Sequence, residues 1–72
     1  MDWDKIEYMD KFYIRLRAAW GQVPYMRFSQ FISNVFSYSQ QHEGKDAFYL
    51  NEDEFMEMVN KFLKEIKDAE SR

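Results

Sequence analysis

Asn51, answered by Glu54 just ahead of an apolar run, constrains this chain more than any other feature. An Asn at a helix N-cap accepts from the N–H three residues on. The Glu at that position reaches back to the cap's own N–H, so two orphan donors of a helix start are satisfied together. Leu50 stands where a hydrophobic staple against Phe55 would fix the chain direction. Glu52, Asp53 and Glu54 complement the positive end of such a helix, and Lys61, Lys64 and Lys67 lie nearer its negative end. Phe55, Met58, Val59, Phe62, Leu63 and Ile66 then recur at helical spacing. A helix over about residues 52–68 is expected.

Two further segments show the same period. Ile6, Met9, Tyr13, Leu16 and Trp20 alternate spacings of three and four, which predicts a helix over about 4–20. Asp4 with Glu7 offers it a capping box, with Asp2 a competing cap, and Gly21 is the expected left-handed residue at its end. Pro24 then reads as the first residue of a helix over about 24–41, with Val23 as an extended N-cap. Phe28, Phe31, Ile32, Val35 and Phe36 form its apolar face, Ser29, Ser33, Ser37, Gln40 and Gln41 its wet one, and His42-Glu43-Gly44 ends it. No segment alternates with the period of a strand. The chain is therefore expected to be all-α, a single domain over residues 1–72 built as a small three-helix bundle. Its expected core is Tyr13, Leu16, Trp20, Phe28, Phe31 and Ile32, with Val35, Phe55, Val59, Phe62 and Ile66.

A core from 72 residues is marginal unless it is dense, because so short a chain buries only ~60% of its unfolded surface. Fourteen Phe, Tyr and Trp residues supply that density. The absence of cysteine rules out disulfide staples and thiolate zinc sites. The acidic start Met1-Asp2-Trp3-Asp4-Lys5 has no apolar stretch of the secretory kind, and no run of ~18–20 apolar residues could span a bilayer. A cytoplasmic, membrane-free setting is expected. The net charge of −3 is unevenly spread. Between Lys11 and His42 there is no acid, only Lys11, Arg15, Arg17 and Arg27; between Asp46 and Met58 there is no base, only Asp46, Glu52, Asp53, Glu54 and Glu57. Packing of an acidic helix start against basic neighbours accounts for this pattern more simply than a binding surface of one sign.

Catalytic machinery is not visible. His42 is the only histidine, at a helix end, and Ser29, Ser33, Ser37 and Ser39 read as helix-face serines with no base beside them. Asp46, Asn51, Asp53, Glu54 and Glu57 lack the alternating ligands and central glycine of a calcium loop, and capping explains them. No catalytic, cofactor-binding or metal residue is assigned, and a non-enzyme is expected. Arg27, Gln30 and Asn34 share one stripe if all three are helical. As structural residues they would tie down the turn after Gly44, Arg27 by pairing with Asp46. As functional ones they are the side chains that read base edges. A domain with one cation on its reading helix lacks the phosphate-neutralising charge that nucleic-acid affinity needs, so the structural use is preferred.

Trp3 and Ile14 lie off the buried stripe of the first helix, near Arg17. Trp and Arg are favoured interface anchors, which makes Trp3, Ile14 and Arg17 a candidate interface for a partner protein or for a homodimer. Trp3 folding back at the terminus is the competing use.

Trp20, Pro24, Arg27, Phe28, Gln30, Ile32 and Asn34, then Asp46, Phe48, Tyr49, Glu52 or Asp53, and Glu54, form the pattern W-x-x-x-P-x-x-R-F-x-Q-x-I-x-N … D-x-F-Y-x-x-D/E-x-E. This resembles a group of small phage, prophage and bacterial proteins of unknown function, over about Trp20 to Leu63. Ser29 stands where that group often has glycine, so closer backbone contact there is not implied. The resemblance implies a self-contained accessory protein of a mobile element and no known activity. The expected function is a small non-enzymatic adaptor or modulator that binds another protein through a helical surface. A nucleic-acid module using the second helix and an accessory subunit of a larger complex are the alternatives.

Overall fold

In the computed structural model, residues 3–71 are described, with side chains from residue 4 onward. The chain folds as an all-α three-helix bundle: α1 is Trp3–Trp20, α2 is Phe28–Glu43 and α3 is Glu52–Glu70, with a short 3-10 turn, Ala47–Tyr49, between α2 and α3. Among the described residues there is no strand.

The start of α3 follows from its local sequence. The Asn51 side chain accepts from the Glu54 N–H at 2.8 Å, and the Glu54 carboxylate accepts from the Asn51 N–H at 3.4 Å. Leu50 and Phe55 are both half-buried against the core, as a staple requires.

The start of α2 differs from expectation. Pro24 is not its first residue, and Val23 is not its cap. The Met26 N–H bonds to the Val23 carbonyl at 3.0 Å, which puts Pro24 at the second position of a tight turn, where its fixed φ is equally well suited. Val23 is buried and draws the chain back to the core, while the Trp20 indole donates to the Met26 carbonyl at 2.8 Å. These tertiary restraints delay α2 to Phe28, with Arg27 as an extended N-cap whose side chain makes no capping bond. Gly21 is not left-handed either. The Gln22 and Val23 N–H groups close α1 with bonds three residues back. The left-handed residue is Gly44, φ 63°, where the Gly44 and Lys45 N–H groups converge on the Ser39 carbonyl.

The core is centred on Phe31, Val35, Met58 and Val59, joined by Leu16, Ala19, Val23, Met56 and Leu63. Each large apolar side chain buried this way contributes about 1.5–3 kcal/mol. Trp20, Ile32, Phe55, Phe62 and Ile66 are half-buried around it, as is Phe12. Tyr13 and Phe28 are exposed, contrary to expectation. The buried face of α1 runs through Phe12, Leu16 and Ala19, rotated from the stripe that weighted Met9 and Tyr13. A small Ala turned inward completes that face, and the phenol of Tyr13 stays wet. Ser39 is fully buried, and its hydroxyl donates to the Lys45 carbonyl at 2.7 Å.

α3 packs on both α1 and α2, whereas α1 and α2 make a smaller contact with each other that includes the Trp20 and Phe28 rings, edge to face at 5.3 Å. The principal extents are 48 × 26 × 18 Å, while α3, with 19 residues, is only ~28 Å long, so the helices are staggered end to end. The radius of gyration is 13.1 Å, against ~11 Å for a compact chain of this length. The bundle is open along one side.

Candidate functional site

The open side is the gap between α1 and α2. Phe12 and Leu16 of α1 form one wall, and Phe28, Ile32 and Phe36 of α2, spaced by four residues each, form the other. Phe55 and Leu50 close the floor, and Glu52 is the only charged residue of the lining. The resulting groove has a volume of about 340 Å³. Phe55 sits between the two walls, with ring centroids 6.3 Å from Phe12 and 6.0 Å from Phe36, and Tyr13 lies 5.9 Å beyond Phe12. A row of aromatic rings therefore crosses all three helices, with its outer members in solvent. Scattered apolar exposure is ordinary on a protein surface, but contiguous aromatic exposure marks contact surfaces.

The groove continues past Phe36 into a second hollow that Phe36 shares with Ser37, Gln40, Gln41 and Asp46, the last its only charged residue. Asp46 begins the 3-10 turn, its carboxylate accepting from the Phe48 N–H at 2.9 Å. Ala47 is buried as the turn's anchor, and Leu50 leaves the turn into the groove floor. Between these fixed points Phe48 and Tyr49 project outward, 76% and 81% exposed, their rings edge to face at 5.3 Å. Both ends of the turn are capped, so two large aromatic side chains are held in water on a short, defined backbone.

The charges nearby are unevenly satisfied. Asp53 pairs with Arg15 at 3.1 Å, and Lys11 pairs with Glu7 at 3.3 Å. Among the described residues Glu52 accepts only the Tyr8 hydroxyl, at 3.4 Å. The Tyr8 phenol is pushed above its usual range, first by desolvation and then by the negative charge of Glu52. Among the described residues, no cation pairs with Asp46, Glu52 or Glu54. Farther along, Lys61 joins Glu43 of α2 to Glu57 of α3. That contact holds the Glu43 carboxyl below the usual range and the Lys61 amine above it, in both cases first through their mutual hydrogen bond.

The residues singled out from the sequence are dispersed. Arg27 does not bond Asp46: the two flank opposite ends of α2, whose 16 residues span ~24 Å. Its backbone is extended, so it shares no helical stripe with Gln30 and Asn34, and its guanidinium has no partner among the described residues. Gln30 is exposed, while Asn34 is half-buried and its amide lies 3.7 Å from the Met26 sulfur. Ile14, 69% exposed, and Arg17 line a separate shallow groove with Ala18, Trp20, Gly21 and Pro24. The side chain of Trp3 lies outside the described residues, so that part of the candidate interface is not placed. Asn51 and Asp46 turn their carbonyl and carboxylate to backbone N–H groups as caps. Among the described residues, no group of three or more acids and histidines is disposed to hold a metal ion. No helix there is long and apolar enough to cross a membrane.

Sequence reasoning missed the groove and the exposed Phe48–Tyr49 turn. The sequence places Phe28 in the core and Phe36 on the apolar face of the second helix, and both are exposed where α1 and α2 leave a gap. One signal was available: apolar residues flank both sides of the strict stripe in α2, a wider face than a single neighbouring helix covers. No family model, curated protein or solved structure matches the chain.

Proposed function

We propose that the chain is a small non-enzymatic adaptor or modulator that binds another protein in the cytoplasm, and that its binding surface is the aromatic groove with the adjoining Phe48–Tyr49 turn. One observation carries this reading: beyond the Trp20–Phe28 contact, α1 and α2 leave between them a row of aromatic rings that a closed bundle would bury. Rigid aromatic side chains lose little conformational freedom on contact, which is why they dominate interface energetics. A mobile-element accessory protein, as the resemblance implies, needs no more than such a surface.

Affinity capture with three baits tests it: wild type, Phe36→Glu and Ile14→Glu. A bound protein lost with Phe36→Glu and kept with Ile14→Glu, both baits melting near wild type, is the expected result. Should Phe36→Glu unfold, Phe48→Ser replaces it, since that side chain contributes little burial. The reverse pattern moves the interface to the Ile14 and Arg17 face.

The Arg27 guanidinium, without a partner among the described residues, favours a second reading, in which Arg27 and Gln30 contact nucleic acid. The net charge opposes it. A DNA-binding constant that falls steeply with salt would establish it, and no measurable binding at low salt would dismiss it.

A further inference from the structure

We infer that the groove takes a short amphipathic helix of a partner protein whose polar flanks carry Lys or Arg. This inference rests on the protein-binding reading and goes on to name the chemistry of the occupant.

Shape is the first argument. Phe28, Ile32 and Phe36 form a ridge of three residues at successive spacings of four, ~12 Å along α2, which matches about two turns of an incoming helix. α1 and α2 both rest on α3 and leave the fourth position of a helix bundle unfilled between them. Apolar side chains at spacings of three, four and seven on one face of a helix would enter such a groove between the phenyl rings.

Charge decides among occupants. The two hollows that meet at Phe36 contain one charged residue each, Glu52 and Asp46, and both are acids. Glu54 follows Glu52 on the first turn of α3, and none of the three has a cationic partner among the described residues. Two cations of α1 are committed elsewhere, Arg15 to Asp53 and Lys11 to Glu7. α2 contributes no Lys or Arg to either hollow. A second copy pairing groove to groove would set two linings against each other whose only charges are acids, with no cation in either lining to offset them. A basic flank instead places cations beside carboxylates that accept only neutral donors among the described residues, where the effect is chiefly on encounter rate and specificity.

Two synthetic helical peptides of ~15 residues test this, sharing Leu and Phe at the anchor spacings and differing only in Lys or Glu at the flanks. Each is titrated into the isotope-labelled chain, with backbone amide shifts as the readout. The cationic peptide is expected to shift Phe28, Ile32, Phe36 and Leu50, to bind at least ~10-fold more tightly than the anionic one, and to lose that advantage as salt rises. Glu52→Lys with Asp46→Lys should remove the preference without abolishing binding, and sedimentation of the free chain should give a monomer. Equal binding of both peptides at the groove overturns the basic flank and leaves the docking site standing. Binding of neither peptide overturns the docking site as well. A dimer of the free chain that Phe36→Glu dissociates overturns the foreign helix in favour of a second copy.

Discussion

Gly44 is the one described residue with a left-handed backbone, and no heavy atom lies within 4 Å of where its Cβ would stand. A side chain there meets conformational strain alone, so Gly44→Ala should cost about 1 kcal/mol. Gly21 offers the opposite case. Its φ is not left-handed, and a Cβ would meet the Arg17 and Ala18 carbonyl oxygens at 3.4 and 3.5 Å, ordinary contact distances. Gly21→Ala should therefore be neutral or stabilise by up to about 1 kcal/mol, through the lost freedom of the unfolded chain. Urea denaturation of both variants checks the pair, and a reversal of the two signs would contradict the backbone described. Composition alone does not separate these glycines. Gly44 closes α2 because the buried Ser39 collects the Gly44 and Lys45 N–H groups on its carbonyl and the Lys45 carbonyl on its hydroxyl. Ser39→Ala removes the hydroxyl half of that clasp and should destabilise by about 1–3 kcal/mol, depending on how well water reaches the Lys45 carbonyl.

Among the elements, α3 is the one whose start is set by its neighbours in sequence. Its cap, its box and its dipole-matching acids lie within four residues, so Asn51→Ala should cost about 1 kcal/mol in thermal or urea unfolding. The start of α2 was not legible in the same way. A proline suits both the first turn of a helix and the second position of a tight turn, and the choice is made by Val23 entering the core and Trp20 bonding Met26. The register of α1 was misread for a related reason: its buried face includes Ala19, whose small side chain carries little weight in an apolar pattern. Between elements, Lys61 binds Glu43. The lowered Glu43 carboxyl adds stability that is present above the unfolded value, 4.5, and is lost as pH falls through the lower folded value. The raised Lys61 amine adds stability that is present below 10.5 and is lost as pH rises through its higher folded value. Glu43→Gln should flatten the acid limb of the melting temperature between pH 6 and 3, relative to wild type, and an unchanged limb would show that the pair contributes nothing.

For the whole molecule, the consequence of an open bundle is that part of its aromatic complement remains at the surface. Three helices followed from periodicity, but which of the fourteen aromatic residues stay outside did not. That depends on how closely α1 and α2 approach, a property of the assembled fold that no single segment encodes. Phe28, Phe36, Phe48 and Tyr49 are exposed in consequence, on one side by the gap and on the other by the capped turn. A photoreactive benzoylphenylalanine placed at Phe36, and separately at Ile14, in cells that produce the chain tests the surface most directly. Both positions are solvent-exposed, so the substitution should preserve the fold at each. A covalent adduct to one partner protein from position 36, with none from position 14, is the predicted result. An adduct from position 14 alone, or from neither, would contradict the assignment of the groove.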